Sequence, residues 1–161
     1  MWDFFIGLLL CWIAKRYWCF EFVGCRGIII DMQKSTLFRA MFWVLFIVGA
    51  LNAIAYKLYL FWTVIWFDMV MHFLGGLFVV LFFFWVLSLF KSTLSYIEKL
   101  MLGVVFTVLV GLVWEYFELI IGVTNLASFE YWGDTGMDIV MDTLGAVLGI
   151  VYVHKIEKKN V

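Results

Sequence analysis

The chain has 161 residues, a formal net charge of -1, 66% hydrophobic residues, 14% charged residues and no proline. A soluble domain carries about 25% charged residues, and a chain this short has no interior large enough to hide so much apolar surface from water. Its solvent must be lipid, and the lack of any basic block excludes a nucleic-acid-binding surface.

Residues 1–31 differ in kind from the rest. Residues 1–14 are apolar but make only about 21 Å of helix, short of a ~30 Å hydrocarbon core. Lys15, Arg16, Glu21 and Arg26 follow, and the basic start of a secretory signal is lacking. Two expectations stay open: a short or interfacial N-terminal helix, or a true start at Met32. Cys11, Cys19 and Cys25 all lie here. Their odd number and spacing match neither a disulfide framework nor a metal motif.

Residues 32–161 read as one membrane domain with four spans, near residues 40–56, 68–90, 100–122 and 137–154. The expected fold class is all-α, a polytopic transmembrane helical bundle. An aromatic connector, residues 58–67, places Trp62 and Trp66 at interfacial depth between the first two spans. Lys34 and Arg39 precede span one, Lys91 and Lys99 bracket the loop after span two, and Lys155, Lys158 and Lys159 follow span four. The opposite side has Lys57, and residues 123–136 contain no Lys or Arg. By the positive-inside rule both ends of the four-span core are cytoplasmic.

Ionisable groups within a membrane cost several kcal/mol, about 2.5–3.5 on insertion scales, and mark functional sites. Asp68 and His72 begin span two, Glu115 and Glu118 end span three, and Asp138 and Asp142 begin span four, with Asp134 just outside. At 1.5 Å per residue all six fall within roughly 10 Å of the same boundary. Each pair is spaced three or four residues apart, so each shares one helix face. Gly75 and Gly76 lie beyond His72, Gly111 beyond Glu115, and Gly145 and Gly149 beyond Asp142, forming an expected floor of close helix contacts. Asp68-Met-Val-Met-His72-Phe-Leu-Gly75-Gly76 also echoes Asp138-Ile-Val-Met-Asp142-Thr-Leu-Gly145-Ala146, the pattern of two hairpins related by an axis along the membrane normal. Asp68 and Asp138 equally suit simple N-terminal capping. His154 is expected to be a solvated flank and Glu130 a loop charge.

Three motifs carry a family resemblance. They are Asp68-x3-His72-Phe-Leu-Gly75-Gly76, Trp114-Glu115-x2-Glu118, and Gly133-Asp134-Thr135-x2-Asp138-x3-Asp142-Thr143-Leu-Gly145-Ala146. In this order, across residues 66–149, the chain resembles the YjdF/VanZ-like group of small bacterial membrane proteins. It is closer to the YjdF-type branch, because VanZ-like proteins tend to carry Glu-x2-Gln where Glu118 stands. The resemblance implies a bacterial cytoplasmic membrane and four or five helices, and little mechanism.

Three functions fit these residues. The first is a metal-dependent enzyme acting on an envelope or lipid-linked phosphate or ester. Its expected metal ligands are Asp68, His72, Glu115 and Asp142, for Mg²⁺, Mn²⁺ or Zn²⁺, and its candidate catalytic groups are His72, Glu115, Glu118 and Asp138. Thr143 is the one hydroxyl in the polar turn of span four, and no zinc-protease spacing is present. The second is an ion-coupled transporter or proton relay. It would have to be a homo-oligomer, and beyond the glycines Thr107 and Ser88 are its only polar steps. The third is structural, with the polar layer locking helix packing through its own hydrogen bonds.

Overall fold

The computed structural model describes residues 32–64, 66–89, 94–122 and 131–159, all within the unit Met32–Val161. The expectations for residues 1–31, including the three cysteines, and those for Lys91 and Glu130 lie outside the described residues. The described residues form five helices and no strand: α1 (Met32–Leu58), α2 (Leu60–Thr63), α3 (Phe67–Leu89), α4 (Tyr96–Ile121) and α5 (Tyr131–Lys159). Helices satisfy every backbone donor and acceptor within one segment, which lipid demands. Four of them, α1, α3, α4 and α5, are long and apolar enough to cross a membrane.

Local chemistry explains where the helices stop. Tyr59 adopts a left-handed conformation (φ 56°), and its carbonyl accepts hydrogen bonds from the Trp62 and Thr63 amides and the Thr63 hydroxyl. That turn ends α1 and starts the single turn of α2. Trp62 and Trp66 on this connector are well exposed. Ser95 and Glu98 form a reciprocal capping box at the start of α4. Gly122 (φ 74°) closes the other end of α4 in the left-handed region that glycine enters without strain, and its amide reaches the carbonyls of Glu118 and Leu119.

The helices α3 and α5 make the most extensive contact in the bundle. They run parallel, since His72 meets Asp142 near one end while Leu77 and Val80 meet Gly149 further along. The helix α4 is antiparallel to both, with Gly111 against Asp142 and Gly103 against Phe84, Val80 and Ile150. The helix α1 packs chiefly on α3, where Val48 and Ala55 join Phe67 and Met71 in one cluster and Phe38 meets Trp85. The buried core continues through Val80, Leu81, Phe84, Ile150 and Val153. Outward-facing positions are themselves apolar, as Trp43, Phe46, Ile97, Leu109, Val113 and Ile120 illustrate, which is the surface a lipid-embedded bundle presents.

At the end of the bundle away from Asp68, Lys99 pairs with Glu157 at 2.5 Å. His154, expected to be solvated, is half-buried with its ring 4.3 Å from that of Tyr96. Tyr96 begins α4 opposite the last turns of α5, a placement no local pattern encodes.

Not every glycine serves packing. Gly136 lies inside α5, is exposed, and has open space where a Cβ would stand. Alanine loses less backbone freedom than glycine in a helix, by about 1 kcal/mol. Gly136→Ala is therefore expected to stabilise the protein by up to that amount, read as a raised midpoint for unfolding in mixed micelles.

Candidate functional site

The spacing of Asp68 and His72 sets both on one face in the first two turns of α3. Glu115 and Glu118 lie in the last two turns of α4, and Asp138 and Asp142 in the early turns of α5. Because α4 runs antiparallel to the paired parallel helices α3 and α5 and packs on both, all three segments meet at one end of the bundle.

His72 is the hub. Its Nδ1 lies 3.5 Å from Asp142 Oδ2. Its Nε2 lies 3.9 Å from Glu115 Oε1 and 3.9 Å from Asp138 Oδ2. The two ring nitrogens thus face different carboxylates, Asp142 on one side and Glu115 with Asp138 on the other. Exposure is only 7% for His72, 3% for Glu115, 3% for Asp138 and 6% for Asp142, so water does little to separate these groups. Asp68 is half-buried, and Asp68, His72 and Asp138 each offer one ligand atom, all within 4.8 Å of one another.

Some of these carboxylate oxygens are served and others are not. Glu115 Oε2 accepts a hydrogen bond from the Thr135 hydroxyl at 2.7 Å. Glu115 Oε1 and Asp138 Oδ1 are buried without a hydrogen-bond partner. Buried polar atoms are almost always partnered, so two orphans in one cluster call for a ligand or a proton. Glu118 is engaged otherwise: half-buried, it accepts from the Trp114 indole N–H at 3.0 Å. Asp134, in the first turn of α5, is exposed.

The glycines beyond the cluster act as close contacts between helices. A Cβ on Gly76 would fall on the backbone carbonyl of Asp142, and one on Gly145 on the backbone carbonyl of Phe73. A Cβ on Gly111 would strike the Asp142 carboxylate itself. Further along, the Thr107 and Ser88 hydroxyls donate to Gly103 and Trp85 carbonyls of their own helices. Thr143 does the same to Ile139, so its hydroxyl is committed to the backbone.

Two residues of interest were given no role by the sequence, although Thr135 stands in one of the family motifs. Thr135 carried a signal, since it precedes Asp138 by three residues and so shares its face. Asn52, the lone amide in span one, is buried with its Oδ1 unpartnered. Its signal was a polar side chain in an otherwise apolar run. Thr135→Val is expected to leave Glu115 Oε2 buried without its donor, at a cost of about 1–3 kcal/mol. Thr135→Ser should restore most of that loss in the same thermal-unfolding measurement.

The two echoing segments, Asp68–Gly76 and Asp138–Ala146, bring their equivalent residues together, since His72 and Asp142 hold the same position in each and touch. Neither the curated proteins nor the solved structures contain a match to this chain. The family described as "Predicted membrane protein (DUF2238)" matches residues 21–159, a longer stretch than the motifs at residues 66–149 and well over half the chain. With four membrane-length helices and a buried histidine–carboxylate cluster on three of them, the chain belongs to that family of predicted membrane proteins.

Proposed function

We propose that this protein holds a divalent cation on Asp68, His72 and Asp138, with Glu115 beside them, and uses it to hydrolyse a lipid-linked phosphate or ester. The observation that carries the proposal is the pair of unpartnered, buried carboxylate oxygens on Glu115 and Asp138, whose carboxylates both face His72 Nε2. Two ligands each about 2.1 Å from one ion stand roughly 3–4 Å apart, and His72 Nε2 and Asp138 Oδ2 are separated by 3.9 Å. One imidazole among carboxylates suits Zn²⁺ or Mn²⁺, with Mg²⁺ favoured less.

Such an ion supplies Lewis acidity toward water and a phosphoryl or carbonyl oxygen. Thr135 fixes the Glu115 carboxylate so that its free oxygen points into the cluster. Glu118, held by Trp114 and half-buried, would exchange a proton with substrate. Ion-coupled transport fits less well, because the helices beyond the site close on each other at Gly76 and Gly145 and the next hydroxyls are bonded to their own backbones.

The positive-inside pattern supports a multi-pass protein with both ends of the four-span core cytoplasmic and the cluster near the opposite face, and the family resemblance supports a bacterial cytoplasmic membrane. There the substrate would be an envelope or lipid-linked compound. The motifs that meet at the cluster also support kinship with the YjdF-type branch of the YjdF/VanZ-like group.

The deciding experiment strips the purified protein in detergent with a chelator, then reloads it separately with Zn²⁺, Mn²⁺ and Mg²⁺. One ion per chain by elemental analysis and a raised melting temperature are expected. A protein that stays metal-free at saturating ion and melts unchanged would overturn the proposal and leave the cluster a structural one.

A further inference from the structure

We infer that Gly111 and Asp142 form a positioning pair that holds a proton on His72 Nδ1 and so turns Nε2 toward Asp138 and Glu115. Asp142 Oδ2 lies 3.5 Å from His72 Nδ1. The same oxygen is the nearest atom to the place a Cβ on Gly111 would occupy, and the two would collide. Gly75 on α3 borders the other oxygen, with its would-be Cβ 3.9 Å from Asp142 Oδ1. Glycines of α3 and α4 therefore flank the slot in which the Asp142 carboxylate sits.

That slot explains a choice of residue that packing alone does not. The other close neighbour of Gly111 is the Cδ1 of Ile139, at 3.1 Å from a would-be Cβ, and a side-chain terminus of that kind can rotate away. The Asp142 oxygen that would be struck is the one on Nδ1, so moving it aside draws it from the ring. An imidazole whose Nδ1–H is taken by a carboxylate turns its Nε2 the opposite way, and such a partner orients the ring and raises its basicity as a ligand. Asp142, expected from the sequence among the metal ligands, thus acts through His72 from the far side of the ring.

The proton position is independent of any metal, while the effect on affinity rests on the proposed cation site. Both are read on the full chain in detergent. The chain has two histidines, so ¹⁵N-histidine labelling with His154→Gln leaves the His72 ring alone in the spectrum. In metal-free protein at pH 7 a slowly exchanging proton on Nδ1 is expected. It should be lost in Asp142→Ala and in Gly111→Ala, and kept in Gly149→Ala, which crowds Val80 and Leu77 away from the carboxylate. Zn²⁺ affinity should fall about 10–100-fold in the first two variants and hold in the third.

An Nδ1 proton absent from the wild type, or present unchanged in both Asp142→Ala and Gly111→Ala, would overturn the inference even if the wild type binds metal. The expected proton pattern in a protein that binds no ion would uphold it and refute the metal proposal alone. Should Gly111→Ala fail to fold, Asp142→Ala decides.

Discussion

His72→Ala is expected to weaken Zn²⁺ binding by well over 100-fold and to turn the remaining affinity toward harder ions. Among the described residues of the cluster His72 alone supplies a nitrogen ligand, its Nε2 facing Glu115 and Asp138, with Asp68 completing the ligand atoms. Losing a residue that merely supports a ligand costs about 10–100-fold, so losing the ligand costs more. What remains is carboxylate oxygen, which suits Mg²⁺ and Mn²⁺ better than Zn²⁺. The same change strips Asp142 Oδ2 of its partner in a site exposed by only a few per cent, and an orphaned buried acceptor costs about 1–3 kcal/mol. Calorimetric titration with each ion, beside thermal unfolding of the metal-free protein, separates the two effects. Unchanged Zn²⁺ affinity in His72→Ala would place the ion elsewhere or nowhere.

Gly76→Ala and Gly145→Ala are expected to be the most destabilising single-methyl substitutions in the bundle. Each new Cβ would land on a backbone carbonyl of the facing helix, Asp142 for Gly76 and Phe73 for Gly145. Backbone cannot rotate aside, so α3 and α5 must separate along their most extensive contact. Forcing extra carbon into a packed interior costs about 1–3 kcal/mol, and a rigid obstacle sits at or above the top of that range. Gly149→Ala meets the Val80 side chain first and should cost less. Gly136→Ala meets nothing and should stabilise. The four variants, ranked by unfolding midpoint in mixed micelles, test the packing without reference to function. Wild-type stability in Gly76→Ala would contradict the close α3–α5 contact. His72 and Asp142 lie on the turns that would part, so metal affinity should fall together with stability in Gly76→Ala and Gly145→Ala.

The membrane class, the four spans and the placement of acids at matching helix ends were determined by the sequence alone. These depend on local quantities: a run of apolar residues long enough to cross, and a fixed 1.5 Å rise that turns residue number into depth. Asp68, His72, Glu115, Glu118, Asp138 and Asp142 could therefore be assigned to one layer without coordinates. The helices run past the apolar stretches, as α5 does from Tyr131 to Lys159, because polar flanks outside the hydrocarbon region continue the same backbone bonds.

Only the tertiary structure decided who faces whom within that layer. Depth says nothing of how each helix is rotated about its axis, and that rotation puts Asp142 at Nδ1, Asp138 and Glu115 at Nε2, and Thr135 on Glu115. It also distinguishes glycines that look alike in the sequence. Gly76 and Gly145 admit a neighbouring backbone, Gly111 admits a carboxylate, and Gly136 admits nothing. Rotation is set by the summed packing of three helices, which no single segment carries. The polar cluster thus has its depth from the chain and its chemistry from the fold.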